Sequence, residues 1–461
     1  MINTLYLPEL REMLASEDRA GLRQFCTALH AARVAEFMEG LTPIEVWEVI
    51  QASDRATCAE VFGFLPEEVQ IEILETGDEG ALSQLIADMP ADDRVDLLNE
   101  VNPAIVKQVL PLVPTEERRD ILRLQAFPEG TAGAVMTTEV AKLPASLTVG
   151  AALEELGRQA KDLETIYYIY IVDQDNHLRG TVSARQLVTR LGKPETPLSE
   201  FMERNLVTVE VTDDQEVVAA KVADYNFLAI PVVDAEQRLA GIITYDDVID
   251  VLREEAEEDA YLAAAVAPLE DGYLQTSLYV LAWKRGFWLF TLFIAALLTA
   301  FALKSYKEVI DTVPWLVFFI PLIMSSGGIS GGQSATLVIR ALSNKDIGLS
   351  DTRRVLFREL LIGLVLGGTL SLVGYVVGWL MLVGPTPVEL LTIPITLLIV
   401  VLFGSLCGAG LPLLFRRLGV DEALMSTPFV TVLIDIAGIL IYMSVATKMI
   451  DGLIKNVGST L

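Results

Sequence analysis

The chain has little of what most metal and redox chemistry uses: its 461 residues include three cysteines and two histidines. Cys26, Cys58, Cys407, His30 and His177 stand apart with neither C-x-x-C nor H-x-x-x-H spacing, which excludes zinc, iron–sulfur and dithiol sites and a disulfide framework. Any metal site is therefore expected to be built from oxygen. Basic residues are also few, 34 against 62 acids, and a net charge of -28 repels phosphate, so nucleic acid is excluded as a partner. No nucleophile–base pair, phosphate-cradling glycine loop or histidine cluster marks an enzyme. The opening MINTLYLPELREML lacks a basic stretch followed by an apolar one, so the apolar spans themselves are expected to direct membrane insertion.

What is present is divided unevenly. Residues 1–270 carry 51 acids and 21 bases, whereas residues 271–461 carry 11 acids and 13 bases. The second part contains five apolar stretches, 286–303, 313–339, 360–382, 390–415 and 423–447, each long enough at 1.5 Å per helical residue to cross a hydrocarbon layer of about 30 Å. A lipid bilayer is thus the first partner. The flanks of one side collect Lys284, Arg285, Arg340, Lys345, Arg353, Arg354, Arg358, Arg416 and Arg417, and the other side holds Lys304, Lys307, Lys448 and Lys455. Basic flanks prefer the cytoplasm, which puts the acidic N-terminal part inside and the C-terminus outside the cell (plasma) membrane.

The acidic part carries two repeats. Pro66, Pro90 and Pro114 recur every 24 residues, and LPEEVQIEIL, MPADDRVDLL and VPTEERRDIL each read as a helix start with proline first and acids in the opening turn. A superhelical array of short helices is expected over residues 1–129. Beyond Gly130, IYIVDQDNHLRGTVSARQLV and IPVVDAEQRLAGIITYDDVI match at an offset of 61, placing Asp173 over Asp234 and Gly180 over Gly241 in the order strand, turn, strand, helix. This resembles a tandem pair of CBS domains, about 130–197 and 198–245, α/β modules that often sense adenosine nucleotides such as ATP.

The richest acidic tract, DDVIDVLREEAEED, begins at Asp246. On a helix, Asp246, Asp247, Asp250, Glu254, Glu255, Glu258 and Asp259 stack like charges at i+3 and i+4, a repulsion that calls for counter-charge. Mg²⁺ takes one or two carboxylates and keeps most of its waters, so loosely spaced acids suit it. A solvated helix that only confers solubility is the competing reading. Asp92 and Asp96 form a similar pair, and Asp214 and Glu216 open a helix in the second module. Within the spans, PLIMSSGGISGGQSATLVIRAL supplies glycines for close helix contact, and Asp435 is the acid set deepest, where function is the default reading.

The whole order, with IPLIMSSGG and SGGQSATL in one span and PFVT before Asp435 in another, resembles the MgtE family of magnesium channels and transporters. The resemblance implies a multidomain membrane protein: an α-helical superhelical N-domain (1–129), an α/β tandem CBS pair (130–245), an acidic connecting or plug helix (246–270) and an all-α transmembrane domain of five helices (271–461). It implies a homodimer with Asp435 of each subunit facing hydrated Mg²⁺ in a pore. It also implies closure by cytosolic Mg²⁺ on Asp247, Asp250, Glu255, Glu258 and Asp259, with Asp246, Asp92, Asp96, Asp214 and Glu216 as further candidates. The chain departs from the family's usual GGN at Ile329 and from its paired threonines at Thr431-Val432, which bears on selectivity or rate. A divalent-cation transporter coupled to Na⁺ or H⁺ would use the same Asp435, and a membrane-anchored nucleotide or metal sensor would use only the soluble part.

Overall fold

In a computed structural model, residues 6–161, 163–269, 272–382, 385–419 and 427–450 are described, and the chain divides into two compact units, Met1–Arg253 and Glu254–Leu461. The first unit opens with ten helices: α1 (Leu7–Ala15), α2 (Arg19–Ala28), α3 (Ala31–Phe37), α4 (Pro43–Gln51), α5 (Arg55–Gly63), α6 (Glu67–Thr76), α7 (Glu79–Asp88), α8 (Ala91–Glu100), α9 (Pro103–Val109) and α10 (Thr115–Leu124). Side chains start many of them. Asp18, Asp54 and Asp78 accept from backbone N–H groups of the first turn, and Thr42 and Glu45 form a reciprocal capping box.

The repeating prolines sit one position earlier than the sequence suggests. Pro66, Pro90 and Pro114 occupy the residue before α6, α8 and α10, and their carbonyls accept from the N–H of Gln70, Arg94 and Arg118. Proline fits there because no N–H is required of it and its fixed φ directs the chain into the helix. From α2 onward the helices pack on the one two places along, α2 on α4, α3 on α5, α4 on α6, α5 on α7, α6 on α8, α7 on α9 and α8 on α10, while α1 packs on α2 and α4. That is the expected superhelical stack, with Val34, Val49, Ile50, Phe62, Ile86, Leu98 and Ile121 in one continuous core.

Two α/β modules follow. β1 (Val140–Pro144) lies parallel to β2 (Thr165–Val172), which is antiparallel to β3 (Leu178–Ser183). The second module repeats this with β4 (Val209–Glu210), β5 (Ala229–Val233) and β6 (Leu239–Thr244). Short helices α11 (Ala132–Val135), α12 (Val149–Gln159), α13 (Ala184–Val188) and α14 (Gln215–Tyr225) accompany them. The matched aspartates are equivalent: Asp173 Oδ1 accepts from the N–H of Asp175 and His177, and Asp234 Oδ1 from that of Glu236 and Arg238. The acidic tract then forms one helix, α15 (Tyr245–Ala263).

The second unit contains α16 (Leu278–Ser305), α17 (Lys307–Thr312), α18 (Ile320–Ser343), α19 (Thr352–Met381), α20 (Pro387–Leu390), α21 (Thr392–Arg417) and α22 (Thr427–Met449). Five of these, with their preceding turns, are long and apolar enough to cross a membrane. They run longer than the uncharged stretches because charged ends continue the helices; the expected residues 423–426 and Lys455 lie outside the described residues. Helix α21 is the hub, packed against α18, α19 and α22.

At the α18–α21 crossing the backbones touch. A Cβ on Gly404 would lie 2.6 Å from the Gly327 carbonyl oxygen, and one on Gly408 2.1 Å from that of Gly331. Small residues permit such contact, which replaces the hydrophobic drive absent inside a lipid layer. A methyl group at Gly408 meets backbone that cannot yield, so Gly408→Ala is expected to destabilise the detergent-solubilised protein by about 1–3 kcal/mol. Gly368, with open space around its Cβ position, is the control: Gly368→Ala should be neutral or slightly stabilising in thermal unfolding.

Candidate metal centre and ion path

In the first unit, five acids from three distant segments converge: Asp92 and Asp93 in the first turn of α8, Glu164 just before β2, and Asp246 and Asp247 in the first turn of α15. Helix N-termini welcome acids, so each pair is locally favourable, and the fold then brings the pairs together. Asp247 closes a capping interaction: the Thr244 N–H and hydroxyl both donate to its Oδ2, at 3.0 and 2.5 Å. Asp92 is 6% exposed, and its Oδ1 is buried without a hydrogen-bond partner among the described residues.

The electrostatics record this crowding. Burial, and then the charges of Asp247, Asp93 and Glu164, hold the Asp92 carboxyl well above the ordinary range. Burial followed by Asp247, Glu139, Asp246 and Asp93 pushes Glu164 up to about 7. Asp247 rises to about 6 through burial, even though the Thr244 hydrogen bonds pull it down. Asp93 is exposed, yet partial desolvation by the surrounding protein and the charges of Asp246 and Asp250 raise its carboxyl also. One guanidinium stands in the same region: Arg94, 3% exposed, donates to the Met89 carbonyl and reaches Glu139 at 3.2 Å. An orphaned buried carboxylate oxygen amid four further acids is what an oxygen-ligated divalent cation with retained waters would satisfy.

The sequence candidates divide accordingly. Asp92, Asp246 and Asp247 meet in the cluster, and Asp250 bears on Asp93 while its Oδ1 accepts from Arg253 at 3.2 Å. Asp96 stands exposed one turn along α8, and the charges acting on Asp92 are others. Asp214 is spent on capping α14, where its Oδ1 accepts from the Glu216 N–H at 2.9 Å, with Glu216 in that helix's first turn. Glu255, Glu258 and Asp259 fall in the second unit, on the last turns of α15. Asp93, Glu164 and Glu139 escaped the sequence reading, because spacing along one helix says nothing of a partner 70 residues away. A smaller group, Asp173, Asp175 and His177, brings three donor atoms within 4.8 Å, but Arg179 and His177 already bond Asp173.

The second unit carries its own acidic feature. Asp435, on α22, lines an open cavity of about 550 Å³ together with Ser325, Gly328 and Ile329 of α18 and Thr427 and Thr431 of α22. Gly328 makes the room: a Cβ there would lie 2.8 Å from Thr431 Cγ2 and 3.7 Å from Asp435 Oδ1. Ile329 is 61% exposed, and it supplies the cavity with an apolar wall and no ligand. Asp435 is not the sole inward acid. Glu359, which the sequence reading left at a span boundary, is buried at 8% exposure in α19 and accepts from the Ser334 hydroxyl at 2.6 Å.

An acid-rich unit with tandem α/β modules, followed by five helices long and apolar enough to cross a membrane, two of which line an acid-bearing cavity, defines a polytopic membrane transport protein for a cation. The sequence signature of the MgtE divalent cation transporters matches residues 320–445, that of the MgtE intracellular N domain residues 29–130, and that of CBS domains residues 132–193 and 198–254. The magnesium transporter MgtE of Thermus thermophilus is 42% identical over 330 residues, 71% of this chain and 72% of that one. That of Enterococcus faecalis is 37% identical over 70% of this chain and 69% of its own length. The chain belongs to the MgtE family of magnesium transporters. A crystal structure of the cytosolic domain of the Mg²⁺ channel MgtE in complex with ATP superimposes with a TM-score of 0.50 and 36% identity, covering 52% of this chain and 98% of that one.

Because Glu164 and Asp247 have folded values of about 7 and about 6, above their ordinary 4.5 and 3.8, the stability they lend is complete below about pH 4 and is lost as pH rises through those values. The cation-free protein should therefore melt at progressively lower temperature from pH 4.5 to 7.5, and millimolar Mg²⁺ should restore most of the difference at the upper end. Asp92→Asn, which removes one of the crowded charges, should flatten both responses in differential scanning fluorimetry. A melting temperature indifferent to pH and to Mg²⁺ would contradict this account.

Proposed function

We propose that the chain carries Mg²⁺ across the cell membrane through the cavity at Asp435 and that cytosolic Mg²⁺, held by the acidic cluster, closes that path. The observation that carries the regulatory half is the Asp92 carboxylate, buried with an oxygen unpartnered amid Asp93, Glu164, Asp246 and Asp247. Without a cation these acids repel one another, and a ligand that neutralises them favours the state in which they are close. Asp250, Glu255, Glu258 and Asp259 continue the acidic face of α15 and extend the set through which residues 246–270 act as a plug.

The transport half rests on the chemistry of Mg²⁺ itself. The ion gives up its waters reluctantly and is recognised through them by few carboxylates. One Asp435 offers a single negative charge to a doubly charged ion, and a two-fold related copy would supply the second, which supports a homodimer with the path between subunits. The basic flanks support an inward N-terminus, an outward C-terminus and placement in the inner (plasma) membrane. The soluble region then comprises a helical part (1–129), a CBS pair (130–245) that takes ATP as the related cytosolic domain does, and the plug, ahead of the pore domain (271–461).

Flux into proteoliposomes tests the proposal. Asp435→Ala is expected to reduce Mg²⁺ entry by roughly tenfold or more, since an apolar path without that charge no longer compensates the hydrated ion. Millimolar Mg²⁺ on the face bearing the soluble unit should suppress the native flux, and Asp92→Ala with Asp247→Ala should abolish that suppression while leaving flux at low Mg²⁺ intact. Flux that survives Asp435→Ala would place the ion path elsewhere.

A further inference from the structure

Glu359 is a buried carboxylate to which the transport path assigns no role. It projects from the second turn of α19 and is 8% exposed, and its Oε2 accepts from Ser334 Oγ on α18 at 2.6 Å. One turn along α18, Ser330 Oγ bonds Ser405 Oγ of α21 at 2.8 Å and lies 3.4 Å from the Val401 carbonyl. Helices α18 and α19 each pack mainly on α21, so the Glu359–Ser334 bond ties directly two helices that otherwise meet through a third.

The placement of Ser334 gives this bond its consequence. At 100° per residue, Gly327, Ser330, Gly331 and Ser334 share one face of α18, while the cavity residues Ser325, Gly328 and Ile329 project well away from it around the helix. Ile323 near one end of α18 and Val338 and Leu342 near the other interlock with neighbouring helices, but between them, from Gly327 to Ser334, the face is glycine and serine and has few side chains to fix its rotation. Leucine or valine would interdigitate with the neighbours; glycine backbones can slide. A hydrogen bond to an acid in a dry interior is strong and directional, and leaving either partner unmade costs the full desolvation of the other. We propose that Glu359 is a positioning residue for ion transport: acting through Ser334, it fixes the rotation and height of α18 and thereby sets where Gly328 and Ile329 stand beside Asp435.

The inference rests on the reading of the Asp435 cavity as the ion path, and two measurements on the full chain keep the two apart. The first is flux of Mg²⁺ and of Co²⁺ into proteoliposomes. Ser334→Ala and Glu359→Ala should each lower Mg²⁺ flux about tenfold and change the Mg²⁺ to Co²⁺ ratio, and the double variant should be no worse than either, as for one shared device. Glu359→Gln, whose amide oxygen still accepts from Ser334, should remain within about twofold of native. Equal loss in Glu359→Gln and Glu359→Ala, or flux and ratio unchanged in both Ser334→Ala and Glu359→Ala, would overturn the proposal.

The second measurement does not depend on flux. With Cys26, Cys58 and Cys407 replaced by alanine, Ile329→Cys is labelled by a water-soluble maleimide with and without Ser334→Ala, a small change that keeps the fold accessible even where Glu359→Ala does not. A several-fold change in labelling rate is expected, and an unchanged rate would overturn the proposal. If the native protein shows no flux while this rate does change, the reading of the cavity fails and the positioning of α18 by Glu359 stands.

Discussion

The cost of holding a carboxylate away from water without counter-charge governs both units of this protein. Removing an ionised acid from water costs several kcal/mol, and the expense is met by a proton, a hydrogen-bond donor or a cation. At Asp247 the Thr244 hydroxyl and N–H meet part of it; at Glu359 the Ser334 hydroxyl does so. At Asp92 one oxygen is left with nothing among the described residues, while its neighbours are themselves acids. Protons fill that role at low pH, which is why Glu164 and Asp247 titrate near 7 and 6 and not near their ordinary values. Once the protons leave, a divalent cation has sufficient charge and small enough size to take their place.

Acidity that is ruinous in a constitutive core is useful in a switch. One apolar core runs from the ten-helix stack into the second α/β module, and the first module has a core of its own. On the proposed regulation, the joining of α8, the segment before β2 and the start of α15 would depend on a cation that neutralises the cluster. Each contributing pair lies at a helix N-terminus, where the local dipole offsets a few tenths of a kcal/mol to one kcal/mol per acid. That is enough to keep each helix intact whether or not the pairs meet.

The local parts of this architecture were legible in the sequence and the long-range parts were not. The 24-residue recurrence of Pro66, Pro90 and Pro114 announced the helical stack because a helix start is decided within a few residues, although the prolines precede the first helical position. The offset of 61 announced the paired modules, since Asp173 and Asp234 each organise their own turn. Asp92, Asp246 and Asp247 could be picked out by crowding along a helix. Glu164 could not, because its partners lie on α8 and α15 and no spacing connects them. Glu359 was obscured for a different reason: in RRVLFRELL it looks like one more charge of a basic flank, and only the fold shows it turned inward while its neighbours face out.

Helix α18 has to satisfy opposite demands on its two faces. Toward α21 it must come close enough for backbone contact, which requires hydrogen in place of a side chain at Gly404 and Gly408, whose Cβ positions meet the Gly327 and Gly331 carbonyl oxygens. Toward Asp435 it must stand back far enough to leave a cavity, which Gly328 provides. Glycine answers both demands and removes the interlocking side chains that would otherwise hold the helix in register. Polar bonds on the packed face, Ser334 to Glu359 and Ser330 to Ser405, restore what glycine takes away, because a hydrogen bond in a dry interior tolerates little displacement. The apolar Ile329 beside the cavity completes the division: it offers a cation no ligand, so if the cavity is the proposed ion path its wall would recognise an ion by charge and by the room left for its waters, room whose accuracy would be set by the packed face of the same helix.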